Sequence, residues 1–218
     1  LAVDLPIEAD VVIIGSGAGG GVTAEILAAN GLKVIIVEEG PLRTSSDFKM
    51  REAEAYPDLY QESAARKTAD KAINILQGRC VGGSTTVNWT SSFRTPPRTL
   101  QWWQSAWGLK RLGVDAMAPW FAAMEQRLHV GLWPIPPNEN NAALARGAAQ
   151  LGIPVAVIPR NVKMCWNLGY CGMGCPTNAK QSMLVTTIPG ALNNGGELLY
   201  LARAQRLLLT GDQVSGIE

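Results

Sequence analysis

The chain has 218 residues, 47% of them hydrophobic, 17% charged and 6% aromatic, the mix of a globular protein rather than a disordered or fibrous one. Lys and Arg (19) against Asp and Glu (18) leave a net charge of +1 with no block of like charge, so neither nucleic acid nor an anionic membrane is expected as a partner. No apolar run approaches the ~20 residues of a transmembrane helix. Four cysteines are too few for a disulfide scaffold and do not fix the compartment. The chain opens on Leu1 with no signal-like leader, which predicts a fragment or a processed product.

The first forty residues read as strand, helix, strand. Asp10–Ile14 is a continuous apolar run of the kind found in a parallel strand buried on both faces. Ala18–Asn30 carries apolar residues at helical spacing, with Gly31 placed to end the helix. Lys33–Val37 is a second buried strand. A unit of this length implies a right-handed crossover and a parallel sheet.

Further along, Phe48–Ala55 and Leu59–Lys71 are predicted as helical pieces, and Ile73–Leu76 as a strand running into a glycine-rich turn. From Arg94 to Pro137 the composition shifts, and five of the seven tryptophans (102, 103, 107, 120 and 133) fall there. This stretch is expected to be a helical, substrate-side insertion. Asn138 is placed to cap a helix over Ala142–Leu151, and Ala179–Leu192 is predicted as another. The tail Glu197–Ile217 alternates around Gly211-Asp212 as a β-meander would. The expected organisation is therefore 1–95 as a first nucleotide-binding segment, 96–150 as the helical insertion, and 151–218 as a cysteine-containing return.

Gly15-Ser16-Gly17-Ala18-Gly19-Gly20 is G-x-G-x-x-G, a weak signal alone and a strong one here. It follows a buried strand, it opens a helix, and Glu38 ends the next strand 23 residues after Gly15. Gly15 permits the tight turn, Gly17 lets backbone approach a pyrophosphate, and Gly20 lets the helix lie close to the sheet. The helix N-terminus holds the phosphate charge. Glu38 is placed to accept from a ribose 2′-OH, which argues against a 2′-phosphate. FAD and NAD both fit such a site. Gly78–Asn88, a second glycine-rich turn beginning 63 residues after Gly15, offers another contact along an extended dinucleotide and favours FAD.

These residues resemble the glucose-methanol-choline (GMC) oxidoreductases, flavoproteins that oxidise alcohols. Asp10–Gly20 with Val34–Gly40 is similar to the family's FAD fingerprint, and Gly78–Asn88 to its G-x-x-x-G-G-S-S/T-x-x-N signature. Pro119-Trp120-Phe121 with Glu125 resembles a helical block. The segment Arg160-Asn161 to Cys165, with Cys171–Ser182, resembles the bacterial and long-chain-alcohol-oxidising branch rather than the glucose oxidases. The resemblance implies an α/β fold, a Rossmann-like FAD-binding parallel sheet with a β-meander and part of a helical region. It implies FAD as cofactor and a small-molecule alcohol as substrate, its hydride passing to flavin N5. Gly15, Ser16, Gly17, Ala18, Gly20 and Glu38 would bind the ADP half, and Gly82, Gly83 and Ser84 the pyrophosphate. Asn88, Trp89 and Thr90 would lie near the isoalloxazine, and the strand around Ala204 near the adenine.

Family members are over twice as long and use a C-terminal His as base. The sole histidine here, His129, falls in the last turn of a predicted helix (116–130) and is expected to be its dipole partner. The resemblance thus implies that the catalytic base and a C-terminal half of the enzyme lie outside the chain, and no catalytic residue is assigned. An NAD-dependent dehydrogenase domain, or a non-catalytic nucleotide-binding subunit or remnant, is the alternative. Cys165, Cys171 and Cys175 lack the C-x2-C knuckle of most metal sites, which leaves packed thiols, a disulfide or a metal open and no metal site assigned. The tryptophans at 102, 103, 107 and 120 are expected to pack between helices. Lys180 and Ser182 suit either a helix start or a contact with cofactor.

Overall fold

A computed structural model of the chain describes residues 7–218. Strand β1 (Val11–Ile14), helix α1 (Ala18–Ala29) and strand β2 (Val34–Glu38) form the expected opening unit. All five β2 residues are buried, because β2 is the middle strand of a three-stranded sheet ordered β1-β2-β5, with β5 spanning Glu197–Tyr200. Both pairings are parallel, Val11 opposite Val34 and Ile35 opposite Glu197. Helix α1 ends where Asn30 and Gly31 turn the chain, Gly31 taking the left-handed φ of 83° that glycine tolerates. The buried face of α1 is Gly21, Ala24 and Ala28, one residue per turn and all small. That face packs against α7 (Thr187–Asn193), which contributes Ile188 and Ala191.

Between Gly40 and Thr90 the chain is mostly irregular. Helix α2 (Glu52–Leu59) and the four-residue α3 (Ser84–Val87) are its only α-helices among the described residues. The helix expected over Leu59–Lys71 is replaced by one 3-10 turn, Gln61–Ala64, in which Glu62 and Ser63 have positive φ. The strand expected at Ile73–Leu76 does not form. Only an isolated bridge from Asn74 to Lys67 is made there, and Ile73 and Leu76 stay exposed for want of a neighbouring strand. A small core closes this region from Phe48, Ala55, Leu59, Tyr60, Cys80 and Val87.

The chain divides into two compact units, the residues up to Trp89 with Met164–Glu218, and Thr90–Lys163. The second holds α4 (Pro97–Trp107), α5 (Val114–Arg127), α6 (Glu139–Gln150) and a two-stranded antiparallel pair, β3 (Val130–Leu132) with β4 (Pro159–Asn161). Asn138 caps α6 as expected, its Oδ1 accepting the Asn141 N–H at 2.9 Å, though the helix starts three residues earlier than its apolar pattern. The tryptophans do not pack as expected. Trp102, Trp107 and Trp120 are exposed, with Trp102 and Trp107 edge-to-face at 6.2 Å, and of these four Trp103 alone is half-buried.

Two late elements also differ in detail. The segment Ala179–Thr186 is not helical, and α7 begins only at Thr187. The expected meander is present as the antiparallel hairpin β6 (Leu207–Thr210) and β7 (Gln213–Ile217), turning at Gly211-Asp212. The strand before it, β5, belongs instead to the parallel sheet.

Candidate functional site

The two glycine-rich turns meet. Gly15–Gly17 leaves the C-terminal end of β1 and enters α1, while Gly78–Ser84 passes the end of β2 and enters α3. At their closest, a Cβ on Gly83 would lie 2.8 Å from the Gly17 Cα, so only glycine lets the turns touch. Gly20 meets its expected requirement, since a Cβ there would sit 1.9 Å from the Gly15 carbonyl oxygen and 3.1 Å from Ile13 on β1.

Glu38, 5% exposed at the end of β2, ties this junction together. Its Oε2 accepts the Ser16 N–H at 2.9 Å and the Ser16 hydroxyl at 2.7 Å, and its Oε1 accepts the Gly40 N–H at 2.9 Å. The Ser16 Oγ in turn accepts the Gly82 N–H at 2.9 Å. One carboxylate thus fixes the first turn, and through Ser16 the second. Each carboxylate oxygen accepts about two hydrogen bonds, so Oε1 retains a free lone pair for a hydroxyl.

A cleft of about 590 Å³ opens at the carboxyl ends of β1 and β2, where open parallel sheets bind ligands. Gly15, Gly17, Ala18, Glu38, Gly83, Ser84 and Ala204 of the expected binding residues line it. Ala204 does so from an irregular segment, not a strand. The floor is bare glycine backbone at the N-terminus of α1. The rim carries Glu39 between two guanidinium groups, with Arg79 Nε at 3.5 Å and Arg203 Nε at 3.8 Å. An extended dinucleotide fits this chemistry, with N–H groups and cations for phosphate and a carboxylate for a ribose.

The remaining expected residues stand off the cleft wall. Ser16 is fully buried and Gly20 is engaged in packing. Gly82 turns at φ 88° beneath Thr86. Asn88 and Trp89 are exposed beyond α3, and the Trp89 ring lies against Gly172. Thr90 is buried at the start of the second unit with φ 67°, its hydroxyl accepting from Arg160 Nε at 2.7 Å. His129 is exposed and lies just past α5 rather than in its last turn.

The residue whose role the sequence left open is Lys180. It is 2% exposed, and its Nζ donates to the carbonyls of Thr86 (2.5 Å), Asn88 (3.0 Å) and Cys171 (2.6 Å). Burial pulls its pKa down to about 8, against the opposing charges of Cys171, Cys175 and Cys80. None of the four cysteines is in a disulfide. Burial alone would raise the Cys175 pKa, but hydrogen bonds from Thr177 and from backbone N–H groups of Lys180, Thr177 and Ala179 outweigh it and bring the thiol below its ordinary value. Among the described residues no three His, Cys, Asp or Glu side chains are grouped to hold a metal ion.

Fold and cleft together define a Rossmann-like dinucleotide-binding protein. Its relatives are more specific: a family model described as GMC oxidoreductase matches residues 56–218, and the chain belongs to that family. It is 34% identical over 212 residues to the long-chain-alcohol oxidase FAO4B of Arabidopsis thaliana, covering 97% of this chain and 28% of that protein. It is 32% identical to an uncharacterized GMC-type oxidoreductase, y4nJ, of Sinorhizobium fredii, covering 94% of this chain and 41% of that one. The chain therefore spans well under half the length of these relatives. Among solved structures, pyridoxine 4-oxidase from Mesorbium loti superposes with a TM-score of 0.73 over 96% of this chain and 45% of its own, at 20% identity.

Proposed function

We propose that this chain is the FAD-binding portion of a GMC flavoprotein that oxidises the CH–OH group of an alcohol. The observation that carries the reading is the junction of the two glycine turns beneath a cleft of about 590 Å³, with Glu38 at the end of β2. Family membership supports FAD over NAD, and the relatives named long-chain-alcohol oxidases support an alcohol as substrate. When bound, FAD supplies the acceptor for the hydride leaving the carbinol carbon.

The chain's own residues bind and orient. The N-terminus of α1 and the bare backbone of Gly15–Gly17 and Gly83 face the pyrophosphate, with Arg79 and Arg203 adding positive charge at the rim. Glu38 keeps Ser16 and Gly40 in place with three accepted hydrogen bonds and offers its remaining lone pair to a ribose hydroxyl. Asn88, Trp89 and Thr90 follow the second turn as its continuation toward the flavin ring.

Titration of the chain with FAD, followed by quenching of flavin fluorescence, tests this. Gly17→Val puts a branched side chain where backbone must meet phosphate, and binding should be lost. Glu38→Arg removes the acceptor and should weaken FAD by about 1–3 kcal/mol. Full flavin occupancy in Gly17→Val, or displacement of FAD by stoichiometric NAD, overturns the assignment.

A further inference from the structure

The second glycine turn is held at both ends, and the two ties differ in kind. Just before α3, Gly82 donates to Ser16, which Glu38 holds. Further on, where the Met183 N–H donates to Thr85 Oγ1 and the Tyr60 hydroxyl to the Val87 carbonyl, the chain is also tied by a buried cation: the three N–H donors of the Lys180 ammonium all go to backbone carbonyls, two on Thr86 and Asn88 and one on Cys171. Burying a charge costs several kcal/mol unless its hydrogen bonds are complete. A methionine would fill the same slot without that penalty but would remove the donor that Lys180 gives each of the three carbonyls.

We propose that Lys180 is a positioning residue for the cofactor: its ammonium gathers carbonyls from two segments more than eighty residues apart and so sets the path of Thr86–Trp89. The inference rests on the nucleotide reading above, because Asn88 and Trp89 are the residues assigned there to the flavin side. Tyr60 reinforces the same junction, its hydroxyl donating to the Gly172 carbonyl at 2.6 Å next to the Cys171 that Lys180 holds.

The charge is what matters, so the grip is pH-sensitive. With its pKa near 8, Lys180 becomes a neutral amine in mildly alkaline solution, with two donors and a lone pair in place of three donors. One carbonyl is then released. Cys80, Cys171 and Cys175 lie around it, and their charge opposes loss of the lysine proton. A Cys171→Ser/Cys175→Ser double variant removes two of those groups and therefore moves the transition to lower pH.

Two measurements test the proposal. In the cofactor-free chain, amide exchange over residues 84–89 should rise at least ~tenfold in Lys180→Met, while β1 and β2 stay protected. With FAD, the dissociation constant of the unmodified chain should rise about tenfold as pH passes 8, and Lys180→Met should bind at least ~tenfold more weakly at neutral pH with no such rise. Unchanged exchange at 84–89 overturns the positioning role whether or not FAD binds. Tight FAD binding with a flat profile in the unmodified chain overturns it while leaving the nucleotide site intact. If Lys180→Met does not fold, the alkaline profile of the unmodified chain and its shift in the double variant decide alone. A chain that binds no FAD at any pH overturns the nucleotide reading and this inference with it.

Discussion

Cys80 sits 1% exposed in the second glycine turn, and burial, with the nearby Glu38 charge, pushes its thiol up to about 12. The unfolded chain releases that proton near 9.0. Between these values the folded state binds more protons than the unfolded one, so the contribution to stability is complete below pH 9 and is lost as pH rises toward 12. Cys80→Ala should be less stable at neutral pH for want of packing, but should lose about 1.4 kcal/mol less per pH unit above 9 than the unmodified chain. Urea midpoints across that range check it, and parallel pH profiles refute it. At this scale the sequence was informative about Glu38, because strand-end position and spacing from Gly15 carry the signal. It was silent on Lys180, whose partners are backbone carbonyls that any residues would present. The only hint was the Lys itself within Ala-Lys-Gln-Ser, and the structure turns that segment from an expected helix start into a buried anchor.

Helix α1 shows how an element reports its neighbours. A Cβ on Gly21 would lie 2.6 Å from Thr187 Oγ1 and 3.2 Å from Met183, whereas one on Gly19 would meet nothing within 4 Å. Gly21→Val should therefore force α1 and α7 apart and lower stability by about 1–3 kcal/mol. Gly19→Ala, in the same helix, should raise it by up to about 1 kcal/mol through helix propensity. Thermal melts of the two variants with equal sign would refute this account of the interface. The opening β1-α1-β2 unit was legible because its strands are apolar on both faces and its helix small-faced. The misread elements lacked such pairing. Ile73–Leu76 has strand composition but no adjacent strand, and Leu59–Lys71 is broken where Tyr60 turns inward to the carbonyl of Gly172. The tryptophans of α4 and α5 have helical spacing, yet it gives no sign that Trp107 stays 67% exposed.

At the scale of the whole chain, the cleft and the sole imidazole belong to different units. The cleft and both turns belong to one unit, which carries backbone donors, cations and the Glu38 carboxylate but no imidazole. The family resemblance implies a histidine that removes the substrate's hydroxyl proton, and such general-base help is worth about 10²–10⁴-fold. The only imidazole in the chain is His129, in the other unit, exposed past the end of α5. Its backbone N–H donates to the Gln126 carbonyl at 3.2 Å, as a helix-end residue does. The chain loaded with FAD should therefore not be reduced by alcohols at a rate above that of free flavin. Anaerobic mixing with a panel of primary alcohols from short to long chain, followed by the loss of flavin absorbance, measures this. His129→Ala should behave as the unmodified chain does. Bleaching that is clear in the unmodified chain and absent in His129→Ala would make His129 the base and overturn this prediction.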